Sequence, residues 1–463
     1  IVEMGHTVGG VCTSWYRSGY KFDYSIQWLV GTRYGAFHDT FVDTNILNEQ
    51  VRIINADYHT RIVNPDGTDF HIYTQIDKWE AYLLEKAPED TQSIRKMCRD
   101  MRRCCKLVPF EMAPSLRSPL TYLKALFRSY PSLFTIVRYR NKTSEEYFNE
   151  LNIKNEWLRT SLHHIYGKTD FTVVSFLLML SWYSQKNAGH PEGGSLHLSK
   201  RMAQRYKELG GEILFKKKVT EILVENNRAK GVQLEDGIIL NADYVISASD
   251  GYNTLFNLLK GKYLTPEVTT AYREWKPFEP LVQVSFGVNA ALHTDYPVQW
   301  IVSKGRKIGQ TSLSLGYRIL NYNFDHTMAP EGKSCIIIRF ESPWYIWENM
   351  SQEDYTREKE AIEKEARRML EENYPGTASA IEVCDVATPH TTIRYTGAWK
   401  ASYEGFRPSC GNITKQLPLT MPGLSHFYMA GQWLFPGGGI PPSVQSGKWV
   451  IQMINKKEKC ESK

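Results

Sequence analysis

Apolar and polar residues follow two different periods in the middle of the chain. From about 196 to 209 the apolar positions recur at the spacing of a helix with one buried face, and the pair Gly210-Gly211 ends it. Shorter apolar runs then predict strands, with a hairpin turn of the favoured Asp-Gly type between the last two. These strands are Glu212–Phe215, Val219–Glu225, Ala229–Leu234 and Ile238–Leu240. The strand in "ADYVISASD" ends on small residues, which suits a nucleotide lying across the end of a sheet.

The second half of the chain predicts further strands and one long helix. The strands are expected at Leu281–Val288, Gln299–Val302, Ser312–Tyr317 and Ser334–Phe340. Alternating charges over Gln352–Asn373 predict a helix with a solvated face. Phe171–Tyr183 is almost wholly apolar but too short to span a bilayer, so it is predicted to be a buried helix or a cavity wall.

The stretch "GQWLFPGGGIPPSVQSGKWVIQMI" near the end of the chain predicts a helix that follows three glycines. Proline suits the first helical positions because its missing N–H would have no partner there. Glycine lets the backbone adopt positive φ or approach a flat ligand closely. The N–H groups of such a helix start favour an anion or an electron-rich group, although an ordinary turn into a helix explains the residues equally well.

Composition narrows the class of protein. With 463 residues, 42% of them apolar, the chain can bury a large core and is expected to hold two interleaved domains. A formal charge of +6 gives no indication of nucleic-acid binding. Eight cysteines without a CxxC pair fit a reducing compartment, so we expect a cytoplasmic protein without a metal site.

The first residues have the pattern of the end of a Rossmann strand. Ile1 and Val2 are apolar, and Glu3 follows them. In dinucleotide-binding units an acid in this position accepts hydrogen bonds from a ribose, and the first strand with its G-x-G-x-x-G turn precedes it. We therefore expect a fragment that begins partway through a Rossmann unit, unless Glu3 is an ordinary surface acid.

Three segments together resemble the phytoene desaturase and carotenoid isomerase group of FAD-dependent flavoproteins, within the amine-oxidase-like superfamily. They are "VEMGHTVGGVCTSWYRSGYKFDYS", the stretch from "GGSLHLSKRM" to "ADYVISASD", and "FYMAGQWLFPGGGIPPSVQSGKWVIQMI". A fourth, "ATPHTTIRYTGAWKASYEGF", is similar to the strand-rich stretch that such proteins carry before the C-terminal motif. The segments keep the order and spacing of that group.

The resemblance implies which residues bind the adenosine half of FAD. Glu3 would hold the ribose. Gly9 and Gly10 would let the backbone pass close to the cofactor. Val219 would bind adenine through its backbone groups, and Ala248 would lie beside the nucleotide.

The resemblance also implies a flavin site at the C-terminal motif. Gly431 would allow the ribityl-phosphate to approach. Gln432 stands where many relatives have an acid, and its amide would still bind ribityl hydroxyls. Gly439, Ile440 and Ser443 would lie at the helix start, under the flavin's pyrimidine ring, where a helix N-terminus stabilises the negative charge of a reduced flavin.

The architecture implied by the resemblance is α/β. A Rossmann-like FAD-binding domain, lacking its first strand and glycine-rich turn, would comprise residues 1–60, 191–262 and 420–463. It would be interleaved with an α+β substrate domain. Residues 61–190 would form the helical lid of that domain, and residues 263–419 its sheet portion.

The function implied is flavin hydride transfer on an apolar polyene, isoprenoid or lipid substrate, by an oxidoreductase or an isomerase. Two alternatives stay open: a flavin amine oxidase, and a non-enzymatic binder like the Rab GDP-dissociation inhibitors. The intact C-terminal motif argues against the binder, because a protein without flavin does not need it. No catalytic residue is assigned, and Tyr403 and Glu404 are the candidates for a general base. A further aromatic set is expected to be core or to line an apolar tunnel: Trp344, Tyr345, Trp347, Tyr395, Trp399 and Tyr403.

Residues 95–142 are basic and apolar at the same time. Twelve Lys and Arg residues stand against Asp100 and Glu111 in this segment, with bulky apolar residues between them. Short helices broken by proline and carrying such residues are typical of a segment that lies in a membrane interface. The segment is therefore either a peripheral contact with an anionic membrane surface or a solvated basic face over a helical core.

Overall fold

The computed structural model describes residues 1–166 and 170–461 as a mixture of strands and helices. The strands are β1 (Ser14–Arg17), β2 (Tyr20–Asp23), β3 (Leu29–Val30), β4 (Ile53–Ile54), β5 (Tyr58–Val63), β6 (Asp69–Tyr73), β7 (Ala188–Pro191), β8 (Val219–Glu225), β9 (Arg228–Leu234), β10 (Ile239–Asn241), β11 (Val245–Ser247), β12 (Leu281–Val288), β13 (Val298–Val302), β14 (Lys307–Ile308), β15 (Thr311–Ser312), β16 (Gly316–Asn321), β17 (Ser334–Glu341), β18 (Ile381–Ala387) and β19 (Phe427–Met429).

The helices have lengths from a single turn to 22 residues. They are α1 (Ala36–Asp43), α2 (Ile76–Lys86), α3 (Thr91–Cys104), α4 (Pro119–Tyr139), α5 (Ser144–Glu150), α6 (Glu156–Tyr166), α7 (Val173–Ser184), α8 (Gly194–Glu208), α9 (Pro266–Glu274), α10 (Trp344–Trp347), α11 (Gln352–Asn373), α12 (Pro389–Thr396) and α13 (Ile440–Glu461). Within the described residues, no helix is long and apolar enough to cross a membrane.

Most of the predicted elements are confirmed, and two are wrong. The helices α8 and α11 and the strands β8, β9, β10, β12, β13 and β17 lie close to their predicted bounds. Glu212–Phe215 is not a strand, since only Leu214 forms a bridge there, with Val2. Ser312–Tyr317 is not one strand either, because β15 ends at Ser312 and β16 begins at Gly316. In both segments the residues have the polarity of a strand, but no neighbouring strand pairs with them over their full length.

A mixed sheet of seven strands forms the largest layer, in the order β18-β12-β17-β16-β13-β5-β6. Its strands are antiparallel except for the parallel pair β13 and β5. One face is apolar and packs on α11 through Ile362, Ala366, Met369 and Leu370, so the other face of that helix is left for its charged residues. The second face, which we call the inner face, carries polar side chains and meets the N-terminal hairpin β1-β2.

The strands β11 and β19 are parallel neighbours although about 180 residues of chain separate them. Beside them β8, β9 and β10 form an antiparallel meander. Two predicted portions, 191–262 and 420–463, are thus in direct contact. The proposed division into domains stays a prediction, and the β5-β6 hairpin joins the large sheet although most of it lies within 61–190.

The apolar helix α7 is fully packed in the helical part of the molecule. Its side chains Val173, Phe176 and Leu177 belong to a core that includes Trp79 of α2. The prediction of a buried helix is therefore confirmed, and its last turn also borders a cavity through Tyr183.

A buried carboxylate joins three of these layers. Asp23 at the end of β2 is fully buried and accepts hydrogen bonds from the Ser14 hydroxyl (2.8 Å) and from both the backbone N–H and the hydroxyl of Ser195 (2.7 Å each). Ser195 lies in the first turn of α8. The backbone carbonyl of Asp23 accepts from Gln283 Nε2 and from Arg339, which lie on the inner face. The hairpin, α8 and the large sheet therefore meet at one residue.

Candidate functional site

The helix α13 begins where the sequence predicted, directly after three glycines. Gly437, Gly438 and Gly439 have φ values of +95°, +42° and +85°, which L side chains rarely adopt. The first turn contains the two prolines and is closed by the Ser443 hydroxyl, which donates to the Gly439 carbonyl at 2.5 Å. The N-terminus of α13 therefore presents backbone N–H groups without side chains on the residues before them.

Two of the glycines are required by a glutamate. A Cβ on Gly438 would lie 1.9 Å from the Glu404 carbonyl oxygen, and a Cβ on Gly439 would lie 2.8 Å from Glu404 Oε1. The Glu404 carboxyl group thus packs against the start of α13. Neither position accommodates a larger residue, whether or not a ligand is bound.

The surroundings of Glu404 favour its neutral form. Burial raises the pKa of Glu404 to about 8, and the positive charge of Arg318 only partly opposes this effect. Burial also raises the pKa of the neighbouring Tyr403 far above its usual range. At neutral pH the Glu404 carboxyl is therefore mostly protonated and can donate a hydrogen bond or a proton, whereas Tyr403 is held as a neutral phenol.

The other predicted glycines divide into two kinds. A Cβ on Gly9 would lie 2.2 Å from the Cys12 carbonyl oxygen, so Gly9 is required by the chain itself. Gly10 has φ +57°, and no atom lies within 4 Å of its Cβ position. Gly431 has φ +109°, and its nearest contact would be the Ala248 carbonyl oxygen at 3.6 Å. Gly10 and Gly431 therefore border open space.

Ala248 and Gly431 lie at the same edge of the parallel strand pair. Ala248 directly follows β11, and Gly431 comes two residues after β19. The Gly431 N–H donates to the Ser446 hydroxyl of α13 at 2.9 Å, which ties this edge to the C-terminal helix. The carboxyl ends of parallel strands are the usual place for a nucleotide in an α/β fold.

Glu3 is joined by backbone hydrogen bonds to the segment that precedes Val219. The Glu3 N–H donates to the Leu214 carbonyl, and the Glu3 carbonyl accepts from the Lys217 N–H, each at 2.9 Å. Lys217 comes two residues before Val219 in the chain. Glu3 Oε1 accepts the Gly5 N–H at 2.6 Å. Gln432, in contrast, directs its amide to the Tyr403 carbonyl at 3.5 Å.

A small cavity of about 40 Å³ lies between α7, β5 and β13. Aromatic side chains form much of its wall: Trp28, Tyr58, His59, Tyr183, His190 and Phe324. Ile26 and Leu29, which flank Gln27 and Trp28, share an apolar cluster with Ile440 of α13. The segment 26–29 therefore lies between the cavity and the start of α13.

None of the six aromatic residues that were expected to be core or to line a tunnel is among the described residues that line this cavity. Trp347 is fully buried, with its indole N–H donating to the Ser342 hydroxyl, and Tyr345 is 77% exposed. Trp399 stacks on Tyr252 in another core, with ring centroids 4.8 Å apart. These positions lie on different elements, which the spacing along the sequence does not reveal.

Two functional candidates on the inner face were missed. Arg318 and Arg339 are directly paired across β16 and β17. Arg339 stands in the otherwise apolar run "SCIIIRF", and Arg318 stands between the buried residues Tyr317 and Ile319. A charged residue inside an apolar strand was the signal that could have found both.

The fold of this chain is shared with an oxidase of known structure. The structure is similar to a triple mutant of putrescine oxidase with a TM-score of 0.62 at 12% identity, over 98% of this chain and 93% of that one. This likeness concerns the fold alone and confirms the predicted fold class.

The chain belongs to the flavin-containing amine oxidoreductase family, whose model matches residues 1–450. It is 23% identical to the carrot (Daucus carota) chloroplastic prolycopene isomerase over 96% of this chain and 74% of that protein. It is 25% identical to the neurosporene-forming phytoene desaturase of Cereibacter sphaeroides over 84% of this chain and 77% of that protein. The resemblance drawn from the sequence is confirmed, and the chain is an enzyme rather than a non-enzymatic binder.

Glu404→Gln is expected to change how stability depends on pH. A glutamate titrates near 4.5 when unfolded and Glu404 at about 8 when folded, so its stabilising contribution is fully present below about pH 4.5 and is lost as the pH rises through about 8. The Gln variant does not titrate. Its thermal unfolding midpoint should therefore rise relative to wild type, by about 2 °C or more between about pH 5 and about pH 9.

Thermal unfolding of both proteins across this pH range is the measurement. Glu331→Gln at an exposed position is the matched control and should give a curve parallel to that of the wild type. Parallel curves for Glu404→Gln as well would mean that Glu404 is ionised like an ordinary surface glutamate.

Proposed function

We propose that this chain binds FAD and acts on an apolar polyene by desaturation, saturation or isomerisation. The observation that carries the proposal is the bare N-terminus of α13, against which the mostly neutral carboxyl group of Glu404 packs. The polyene class is taken from the prolycopene isomerase and phytoene desaturase relatives. When bound, FAD supplies the hydride transfer. The protein's own residues would orient the substrate and exclude water, and Glu404 would hold or deliver a proton at its carboxyl group.

The proposed FAD site rests on the two kinds of glycine. Gly10 and Gly431 keep open the space that a cofactor would fill, whereas Gly9, Gly438 and Gly439 are needed by contacts within the chain. Glu3 and Val219 would bind the adenosine half, and Ala248 would flank the nucleotide. Gln432, Ile440 and Ser443 would complete the flavin half.

The charges around the cavity favour a polyene over an amine. Arg318 and Arg339 lie on the inner face, and the Arg318 charge reaches both His59 and Glu404. A cationic amine would be repelled there, and Glu404 is mostly neutral, so it offers little compensation. The flavin amine oxidase remains the second candidate because of the family to which the chain belongs.

The substrate class is tested with the purified protein loaded with FAD. A panel of carotenoid and isoprenoid polyenes is incubated anaerobically with oxidised and with reduced flavin, and the products are separated by chromatography. We expect a change in the number or geometry of double bonds in at least one polyene. Release of hydrogen peroxide from primary amines in air, with every polyene unchanged, would favour the amine oxidase instead.

Gly10→Ala is expected to weaken FAD binding about tenfold, because the new methyl group enters space that the cofactor would occupy. An alanine in this left-handed backbone conformation also destabilises the folded chain by about 1 kcal/mol. Gly332→Ala is the matched control, since Gly332 also has positive φ (+75°) and no atom within 4 Å of its Cβ position. Flavin fluorescence titration of the apoproteins gives the two affinities. Equal affinity in both variants would remove Gly10 from the FAD site.

The helix α4 has mostly polar residues on its buried side and apolar residues on its exposed side. Its buried residues are mostly small and polar, Ser129, Ser132 and Thr135 among them, whereas its solvent side is apolar. The exposed apolar residues recur every three or four positions: Leu120, Leu123, Phe127, Tyr130, Phe134 and Val137. Phe127 is 77% exposed. A helix with this apolar face exposed can insert into a lipid surface. Lys124 and Arg128 on the same helix favour an anionic surface.

The membrane proposal therefore narrows from residues 95–142 to α4, which lies within them. Arg102 is paired with Asp77 and Glu80, and Arg103 and Lys96 are paired with Asp100, so three of the basic residues of α3 are engaged within the protein. The expectation of short helices broken by proline is wrong, because α4 continues through Pro131 for 21 residues. The apolar face of α4 can insert into the lipid, whereas the basic residues alone would bind only at its surface.

Phe127→Asp is expected to lower binding to vesicles of phosphatidylserine and phosphatidylcholine about tenfold or more, since a buried side chain of this kind contributes about 1.5–3 kcal/mol. Binding of the wild type should also weaken as salt rises. Leu209→Asp, at another exposed apolar position (69%), is the matched control. Vesicle co-sedimentation measures all three proteins. Absence of wild-type binding at low salt, or equal losses in the two variants, would contradict a lipid contact at α4.

A further inference from the structure

The loop that carries Glu404 is fixed against the residues that lead into α13. The Gly437 N–H, just before the helix, donates to the Phe406 carbonyl at 2.7 Å. On the side of the large sheet, the Phe278 N–H donates to the Gly405 carbonyl at 2.9 Å. Glu404 is therefore held in place by the backbone bonds of the two residues that follow it.

The Glu404 carboxyl group has no partner in the part of the chain that the structure describes. Its Oε1 would lie 2.8 Å from a Cβ on Gly439, but no described residue donates a hydrogen bond to it or forms an ion pair with it. The titratable and charged groups that face it are Arg318 on β16 and Tyr403 in the same loop. The first turn of α13 contributes no such group. The carboxyl group is therefore available to a molecule bound at the start of α13.

A molecule in that position would meet the carboxyl group and the N–H groups of the helix together. The helix N–H groups stabilise negative charge. An ionised Glu404 would oppose it, because two negative charges close together and away from water destabilise each other. A protonated Glu404 instead offers a hydrogen-bond donor. The start of α13 is thus suited to a ligand that gains negative charge while Glu404 carries a proton.

We propose that the protonation of Glu404 is coupled to the reduction of the bound flavin. Glu404 carries a proton while the flavin is reduced, so that a neutral donor and not a second negative charge stands at the start of α13. The two electrons arrive with the hydride of the substrate. The proton on Glu404 comes from solvent and returns there when the flavin is oxidised again. This inference rests on the proposed function, because it requires FAD at the start of α13.

The coupling has a definite dependence on pH. Burial raises the pKa of Glu404 to about 8, and the positive charge of Arg318 opposes part of this rise. Negative charge on a nearby flavin raises this pKa further. Below about pH 7 Glu404 is therefore protonated whether the flavin is oxidised or reduced, and its proton does not count. Above about pH 8 reduction has to draw a proton onto Glu404, so it becomes harder as the pH rises.

The test measures the midpoint potential of the FAD-loaded protein by spectroelectrochemistry from about pH 6 to about pH 10. The curves of the wild type and of Glu404→Gln should run parallel below about pH 7, since both side chains are then neutral. Above about pH 8 the equilibrium constant for reduction of the wild type should fall relative to the variant by about tenfold per pH unit, which is about 30 mV for a two-electron couple.

Glu358→Gln is the matched control. Glu358 is buried, and burial raises its pKa as well. It lies on α11, which packs on the opposite face of the large sheet from Arg318, and it accepts the Gln310 N–H at 2.8 Å. Its loss should leave the potential curve of the wild type unchanged. An equal change in the Glu358 and Glu404 variants would mean that any buried acid has this effect, and it would remove the special role of Glu404.

The remaining outcomes separate the two proposals. Identical curves for the wild type and Glu404→Gln, at equal flavin content, would overturn the coupling and leave the FAD site standing. Free FAD is the reference should the Gln variant fail to fold, and a wild-type curve parallel to that of free FAD above about pH 8 would also overturn the coupling. Failure of the wild type to bind FAD would overturn the proposed function itself.

Discussion

The structure depends on one buried carboxylate, that of Asp23. Its oxygens accept hydrogen bonds from Ser14 and Ser195, and its backbone carbonyl is held by side chains of the large sheet. A Cβ on Gly194 would lie 2.3 Å from Asp23 Oδ2, so the start of α8 is shaped around this group. A buried charge is tolerated only when its hydrogen bonds are satisfied, and satisfying this one fixes the hairpin, α8 and the sheet relative to one another.

The same inner face of the sheet sets the electrostatics of the site. Arg339 donates to the Tyr24 carbonyl, and Arg318 stacks on Trp300 but has no acidic partner among the described residues, so positive charge persists near the aromatic cavity. Burial at the same time favours the neutral form of Glu404, which packs against the start of α13. Two arginines, a mostly neutral acid and an aromatic wall thus lie near one another, and the positions of the two arginines depend on the sheet register.

Much of the fold could be predicted from local patterns, and the exceptions have a common cause. β12 and α11 have the predicted bounds because the apolar alternation of β12 and the alternating charges of α11 run without interruption. Glu212–Phe215 has similar residues but pairs at one position only. Strand formation needs a neighbour along its length, and pairing partners are not encoded in the strand's own residues.

The amino-acid sequence by itself determined the family, the helix that follows the three glycines, and the candidate residues for a cofactor site. These depend on neighbouring residues, whose spacing specifies local conformation directly. Only the tertiary structure decided which glycines border open space, which aromatic residues form a cavity, and that Arg318 lies across from Arg339. Those properties arise where strands and helices distant in the chain meet, and their geometry is set by sheet register and packing rather than by sequence spacing.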